Sequence, residues 1–109
     1  MSRDINTHRR ALADIARILH WLRRRSPRGA TSWRNALWRT FFRIMEDAEG
    51  FPMADESPHL GRPVRQALFK TRMGRRYRII FEFTDTAVRI LRIRRPGQRP
   101  LRKRDLLEE

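Results

Sequence analysis

The cations of this sequence crowd into two short runs. Lys70, Arg72, Arg75, Arg76 and Arg78 sit in "FKTRMGRRYRIIFEF", and Arg92, Arg94 and Arg95 follow in "RILRIRRPGQR". A guanidinium is a planar fork that matches phosphate or carboxylate oxygens two at a time. Held on a stiff element, several of them could grip a phosphate backbone or an acidic peptide. Strand alternation puts Gln66, Leu68, Lys70 and Arg72 on one face. A regular hairpin would bring Lys70 and Arg72 towards Arg78, and Arg92 and Arg94 could join from the next strand. Arg75, Arg76 and Arg95 fall at strand ends. The bland alternative is a solvated face whose charges keep edge strands from pairing with other chains.

Cleavage of a phosphodiester would also need a general base and acid beside these cations. His8 and His20 belong with the first helix and His59 with a proline-rich loop, so none is expected among the strand cations. Tyr77 alternates with Ile79 and Phe81 and reads as core. Glu82 could reach the cluster or equally pair with an arginine. Glu46, Asp47 and Glu49 gather at a helix end without the spacing of a metal site. No glycine-rich phosphate loop is present, and neither cofactor nor metal is expected. From the residues alone, binding is better supported than catalysis.

The chain of 109 residues carries a formal charge of +14. Residues 1–61 hold 11 Lys+Arg against 7 Asp+Glu, a net of +4, and residues 62–109 hold 15 against 5, a net of +10. Such a field attracts polyanions. All the cations but Lys70 and Lys103 are arginines, a bias that a GC-rich genome would also produce. One domain over 1–109 is expected, with a core that needs no staples. The absence of cysteine fits a reducing compartment. No run approaches the roughly 20 apolar residues of a membrane span, and the first residues lack a signal peptide's apolar segment. The cytoplasm, with no membrane partner, is the expectation.

The elements that must position these residues are legible in outline. "ALADIARILHWL" spaces Leu12, Ile15, Ala16, Leu19 and Leu22 by threes and fours, which predicts an amphipathic helix starting near Thr7–Arg9 and fading into Arg23, Arg24 and Arg25. Ile18 and Trp21 widen its apolar face. Ser26 and Pro27 then open a second helix with the stripe Trp33, Leu37, Phe41 and Ile44, stopped by Gly50 and Pro52. The short turn between the helices predicts an antiparallel hairpin. Residues 51–63, "FPMADESPHLGRP", read as an exposed loop. Strands are predicted over Val64–Thr71, Tyr77–Phe83 and Ala87 to Ile93 or Arg94, joined by short turns as an antiparallel meander. In the last of these, Val88 and Ile90 share a face with Arg92 and Arg94, so neither face is cleanly apolar. The tail, "LRKRDLLEE", is a short helix or loose. The fold class is α+β: an N-terminal antiparallel helical hairpin packed on a small C-terminal antiparallel sheet.

This order of elements, with "ALADIARILHWLRRRSP", "ALFKTRMGRRYRIIFEF" and "VRILRIRRPGQRPL" as they stand over residues 11–107, resembles the RelE/ParE superfamily of type II toxins. The resemblance implies the same hairpin-on-sheet fold and a cognate antitoxin, for which an acidic chain would suit the charge. It implies one of two targets. ParE-like members inhibit DNA gyrase by binding, and the pattern of the first helix lies closer to them. RelE-like members cut mRNA on the ribosome, and Lys70, Arg72 and Arg78 match the positions of their basic residues. Two departures stand out. Relatives begin with a strand before the first helix, where only "MSRDIN" stands here. Many also carry a histidine after the last strand, where this chain has Arg95. A non-toxic nucleic-acid-binding module and a decayed toxin are the other readings.

Overall fold

The computed structural model describes residues 2–106. The chain runs β1 (Asp4–Thr7), α1 (Arg9–Arg25), α2 (Pro27–Glu46), a 3-10 turn at Ala48–Gly50, α3 (Ser57–Leu60), β2 (Arg65–Phe69), β3 (Tyr77–Phe83), β4 (Ala87–Arg94) and a 3-10 turn at Lys103–Leu106. The α+β class holds, with two corrections. A strand does precede the first helix, and the sheet is mixed. Its order is β1-β4-β3-β2. The meander β2–β3–β4 is antiparallel, whereas β1 pairs with β4 in parallel, Ile5 opposite Val88. "MSRDIN" hides this strand because Ile5 is its only large apolar residue; Arg3 fastens the segment instead. Arg3 donates to the Thr84 carbonyl at 2.7 Å, pairs with Glu49 at 2.6 Å and lies over the Phe83 ring.

The helices start where their caps dictate. The His8 Nδ1 accepts from the Arg10 N–H, and the Ser26 Oγ accepts from the Gly29 N–H with Pro27 in the first turn of α2, each satisfying a donor that the first helical turn leaves free. On α2 the stripe Trp33, Leu37, Phe41 and Ile44 is buried as expected, with Ala36 and Thr40 beside it. On α1 the face is rotated from the expected one. Ala11, Asp14, Ile18 and Leu19 are buried, while Leu12 and Trp21 are half exposed and Ala16 faces out. The cause is Asp14, an acid on the apolar side that the strand β4 requires.

The main core lies between the helices and the sheet and includes Trp33, Leu37, Phe41, Ile79, Phe81, Val88, Ile90 and Ile93. The mixed faces of β4 are resolved by a bulge. Ile80 pairs with Arg92 but Phe81 with Ile90, which leaves Leu91 without an opposite residue. One extra residue reverses the alternation. Val88, Ile90 and Ile93 therefore all face the helices, and Leu91 turns to the other side.

That other side is not bare, and this corrects the reading of residues 51–63 as an exposed loop. Ala54 and Leu60 from this segment pack with Val64, Ile80, Leu91, Leu101 and Leu106 into a second, smaller core. The Ser57 hydroxyl ties the segment down, donating to the Arg62 carbonyl and accepting from the Val64 N–H. The tail closes the layer, with Leu101 and Leu106 buried; residues 107–109 lie outside the described residues. The sheet is thus a middle layer, with helices on one face and a strap of loop and tail on the other.

Candidate functional site

The eight cations singled out by the sequence fall into two sets. Arg78, Arg92 and Arg94 are on strands and are engaged by the protein itself. Lys70, Arg72, Arg75, Arg76 and Arg95 lie just beyond strand ends and are exposed.

Arg78 faces the strap. Its guanidinium donates to both oxygens of Glu56, at 2.9 and 2.6 Å, and to the Gln66 side-chain oxygen at 2.8 Å. Glu56 also accepts from the Leu101 N–H at 3.1 Å. These bonds, the Arg78 pair foremost, hold its carboxyl down at about 2 against the opposing effect of burial. Arg92 reaches from β4 to α1. Its Nε and Nη2 donate to the two oxygens of Asp14 at 2.8 and 3.0 Å, and its Nη1 to the Asp105 carbonyl. Asp14 further accepts from the Ile93 N–H at 2.9 Å and from Arg17. Four charged or backbone donors converge on one buried carboxylate, which explains its place on the apolar face. Arg94 is only 3 % exposed. It donates to the Arg99 carbonyl, while its Nε has no partner among the described residues. Burial lowers the pKa of this guanidinium.

Three of the exposed set, Arg75, Arg76 and Arg95, line two clefts. One, of about 600 Å³, lies between the strap and the end of β3, lined among others by Glu56, His59, Gln66, Arg76, Arg78 and Arg95. His59 thus does stand beside sheet cations, contrary to the sequence expectation; α3 folds it there, which the proline-rich segment did not signal. The other cleft, of about 700 Å³, opens at the far end of the helical hairpin between the α1–α2 turn, the β2–β3 turn and the segment after β4. Its walls include Trp21, Arg25, Met73, Arg75, Arg95 and Pro96.

The remaining candidates have structural positions. Tyr77 is core, as expected, packed edge-on against Trp33 with ring centroids 5.5 Å apart; burial raises its pKa, and Arg95 and Arg75 oppose that rise. His8 caps α1, and His20 is exposed on it. Glu82 pairs with Arg62, and Glu49 with Arg3. Among the described residues no three His, Asp or Glu side chains come together as a metal site. Sequence reasoning missed Asp14, Glu56 and Asp105. Asp14 alone carried a signal, an acid spaced three and four residues from the buried Ala11 and Ile18.

A family model for the ParE toxin of type II toxin–antitoxin systems, parDE, matches residues 5–100. No curated protein and no solved structure matches the chain. The match covers nearly all of the sheet, both helices and the loop part of the strap, and the chain belongs to this family, within the RelE/ParE superfamily. It is a toxin of a type II system, with an antitoxin as the partner the family implies. Among the described residues no helix is long and apolar enough to cross a membrane.

Proposed function

We propose that this toxin arrests growth by binding DNA gyrase in the cytoplasm and is held inert by an acidic antitoxin. The observation that carries the reading is the state of the strand cations. Arg78 and Arg92 are each bound two-pronged to an internal carboxylate, and Arg94 is buried. A phosphate would have to displace Glu56 or Asp14 to reach them. Cations spent on the fold leave a binding surface rather than a phosphodiester-cleaving centre. Expression without antitoxin should induce the DNA-damage response before translation falls. Early cleavage of mRNA with translation stopping first would overturn this reading.

His59 supports a second reading, a ribosome-dependent mRNA endonuclease. It lies in one cleft with Arg76, Arg78 and Arg95, where an imidazole could act as acid or base on a phosphate held by the exposed arginines. Under this reading, His59→Ala and Arg76→Ala each reduce mRNA cleavage while the protein still folds and still binds its antitoxin. Growth arrest unchanged in both variants, with intact mRNA, excludes it.

A further inference from the structure

We propose that the far end of the helical hairpin is a docking site for single-stranded nucleic acid, with phosphates held by Arg25, Arg75 and Arg95 and a base received against Trp21. This stands on charge segregation and on the cleft, not on the target assigned above.

Three segments build this end, and none carries an acid. Residues 15–45, 57–81 and 86–104 contain no Asp or Glu at all. Accordingly, no carboxylate pairs with Arg25, Arg72, Arg75, Arg76 or Arg95 among the described residues. Elsewhere the protein neutralises several of its arginines with buried carboxylates, as at Asp14, Glu56 and Asp105. At this end it leaves them open. Arg24 and Arg28 flank the α1–α2 turn, so the positive field extends beyond the cleft itself.

The floor between these cations is apolar. Trp21 is half exposed, with Arg25 stacked on its ring at 4.7 Å, and Met73 on the opposing turn is 92 % exposed. Exposed aromatic and thioether groups inside a ring of arginines form the two-part surface that a single strand needs. The backbone is tracked by cations and a base is stacked on a ring, independent of sequence. Two polar groups of the wall are already used: the Gln98 side-chain oxygen accepts from the Arg95 N–H and the Ser26 Oγ from the Gly29 N–H. Stacking on a ring accepts any base, so the site is sequence-tolerant. Charge number favours nucleic acid over an acidic peptide. A peptide short enough for about 700 Å³ brings a few carboxylates, whereas a strand delivers a phosphate at every nucleotide and can meet the arginines beyond the cleft as well.

The test is binding of a fluorescent oligothymidylate to the full chain, followed by anisotropy across salt concentrations. For single strands the log–log salt slope is about −0.7 per neutralised phosphate. Arg25→Ala/Arg75→Ala/Arg95→Ala should make the slope shallower by about 2. Trp21→Ala should weaken binding by roughly 5- to 150-fold, the range for loss of one stacked base, and leave the slope unchanged. Arg9→Ala/Arg102→Ala, exposed cations at other places, should do far less than the triple variant. Circular dichroism and thermal melting confirm that each variant folds. The proposal is overturned by no binding at about 50 mM salt, or by equal losses in the triple and control variants, which would mean diffuse attraction only. Duplex DNA bound more tightly and indifferent to Trp21→Ala would also overturn it. So would poly-glutamate competing as well as the strand, which would assign the site to an acidic protein.

Discussion

Glu56 offers the sharpest test of how the strap is held. Its carboxylate is 5 % exposed and bridges three parts of the chain: the segment before α3, Arg78 on β3 and the Leu101 backbone in the tail. In the unfolded chain it titrates at its ordinary 4.5, and in the folded protein at about 2. A folded-state pKa below the unfolded one means that the ionised carboxylate stabilises the fold. That contribution is complete above about pH 4.5 and is lost as the pH falls towards 2. The depression corresponds to about 3 kcal/mol at neutral pH. Glu56→Gln keeps the shape and removes the charge, turning an amide towards a guanidinium. Urea unfolding at pH 7 should show the variant about 3 kcal/mol less stable than the parent, and the gap should close as the pH falls through 4 towards 2. A variant as stable as the parent at pH 7, or a gap of constant size down to low pH, would refute the role given to this carboxylate.

Other consequences are equally open to measurement. Asp14→Ala strips Arg92 of its carboxylate and orphans the Ile93 N–H; a loss of about 3–5 kcal/mol is expected by denaturant unfolding, as for a broken buried ion pair. Arg94→Met removes a buried guanidinium whose Nε has no partner among the described residues; thermal melting should show stability unchanged or raised by about 1 kcal/mol, since an apolar residue of similar length replaces an imperfectly paired charge. Gly97 has φ +77° with open space where a Cβ would stand. Gly97→Ala should therefore cost about 1–2 kcal/mol from backbone strain alone, visible as a lower melting temperature with an unchanged circular dichroism spectrum.

Much of this architecture was legible because local signals agreed. The Ser26–Pro27 pair, the stripe on α2 and the bounds of β3 appear in the structure where the residues put them. What escaped is what long-range partners decide. β1 has one large apolar residue and exists because β4 offers an edge. The rotated face of α1 follows from Asp14 meeting Arg92, 78 positions away. The bulge at Leu91 settles the faces of β4 and is invisible to a strict period of two. The first predicted strand is shorter than expected, Arg65–Phe69, because Lys70 and Arg72 already belong to the turn. Of the site, the cations themselves were readable. Their division into engaged and exposed sets was not, since it depends on carboxylates from α1, the strap and the tail.

The parallel pairing of β1 with β4 has a bearing on how the toxin comes into being. Asp4 finds its register opposite Ala87, so β1 is obliged to wait for β4, 83 positions further along. Closing so distant a contact is slow and cannot begin until nearly the whole domain has emerged. The sheet therefore stays incomplete until β4 has been made, and the toxin fold with it.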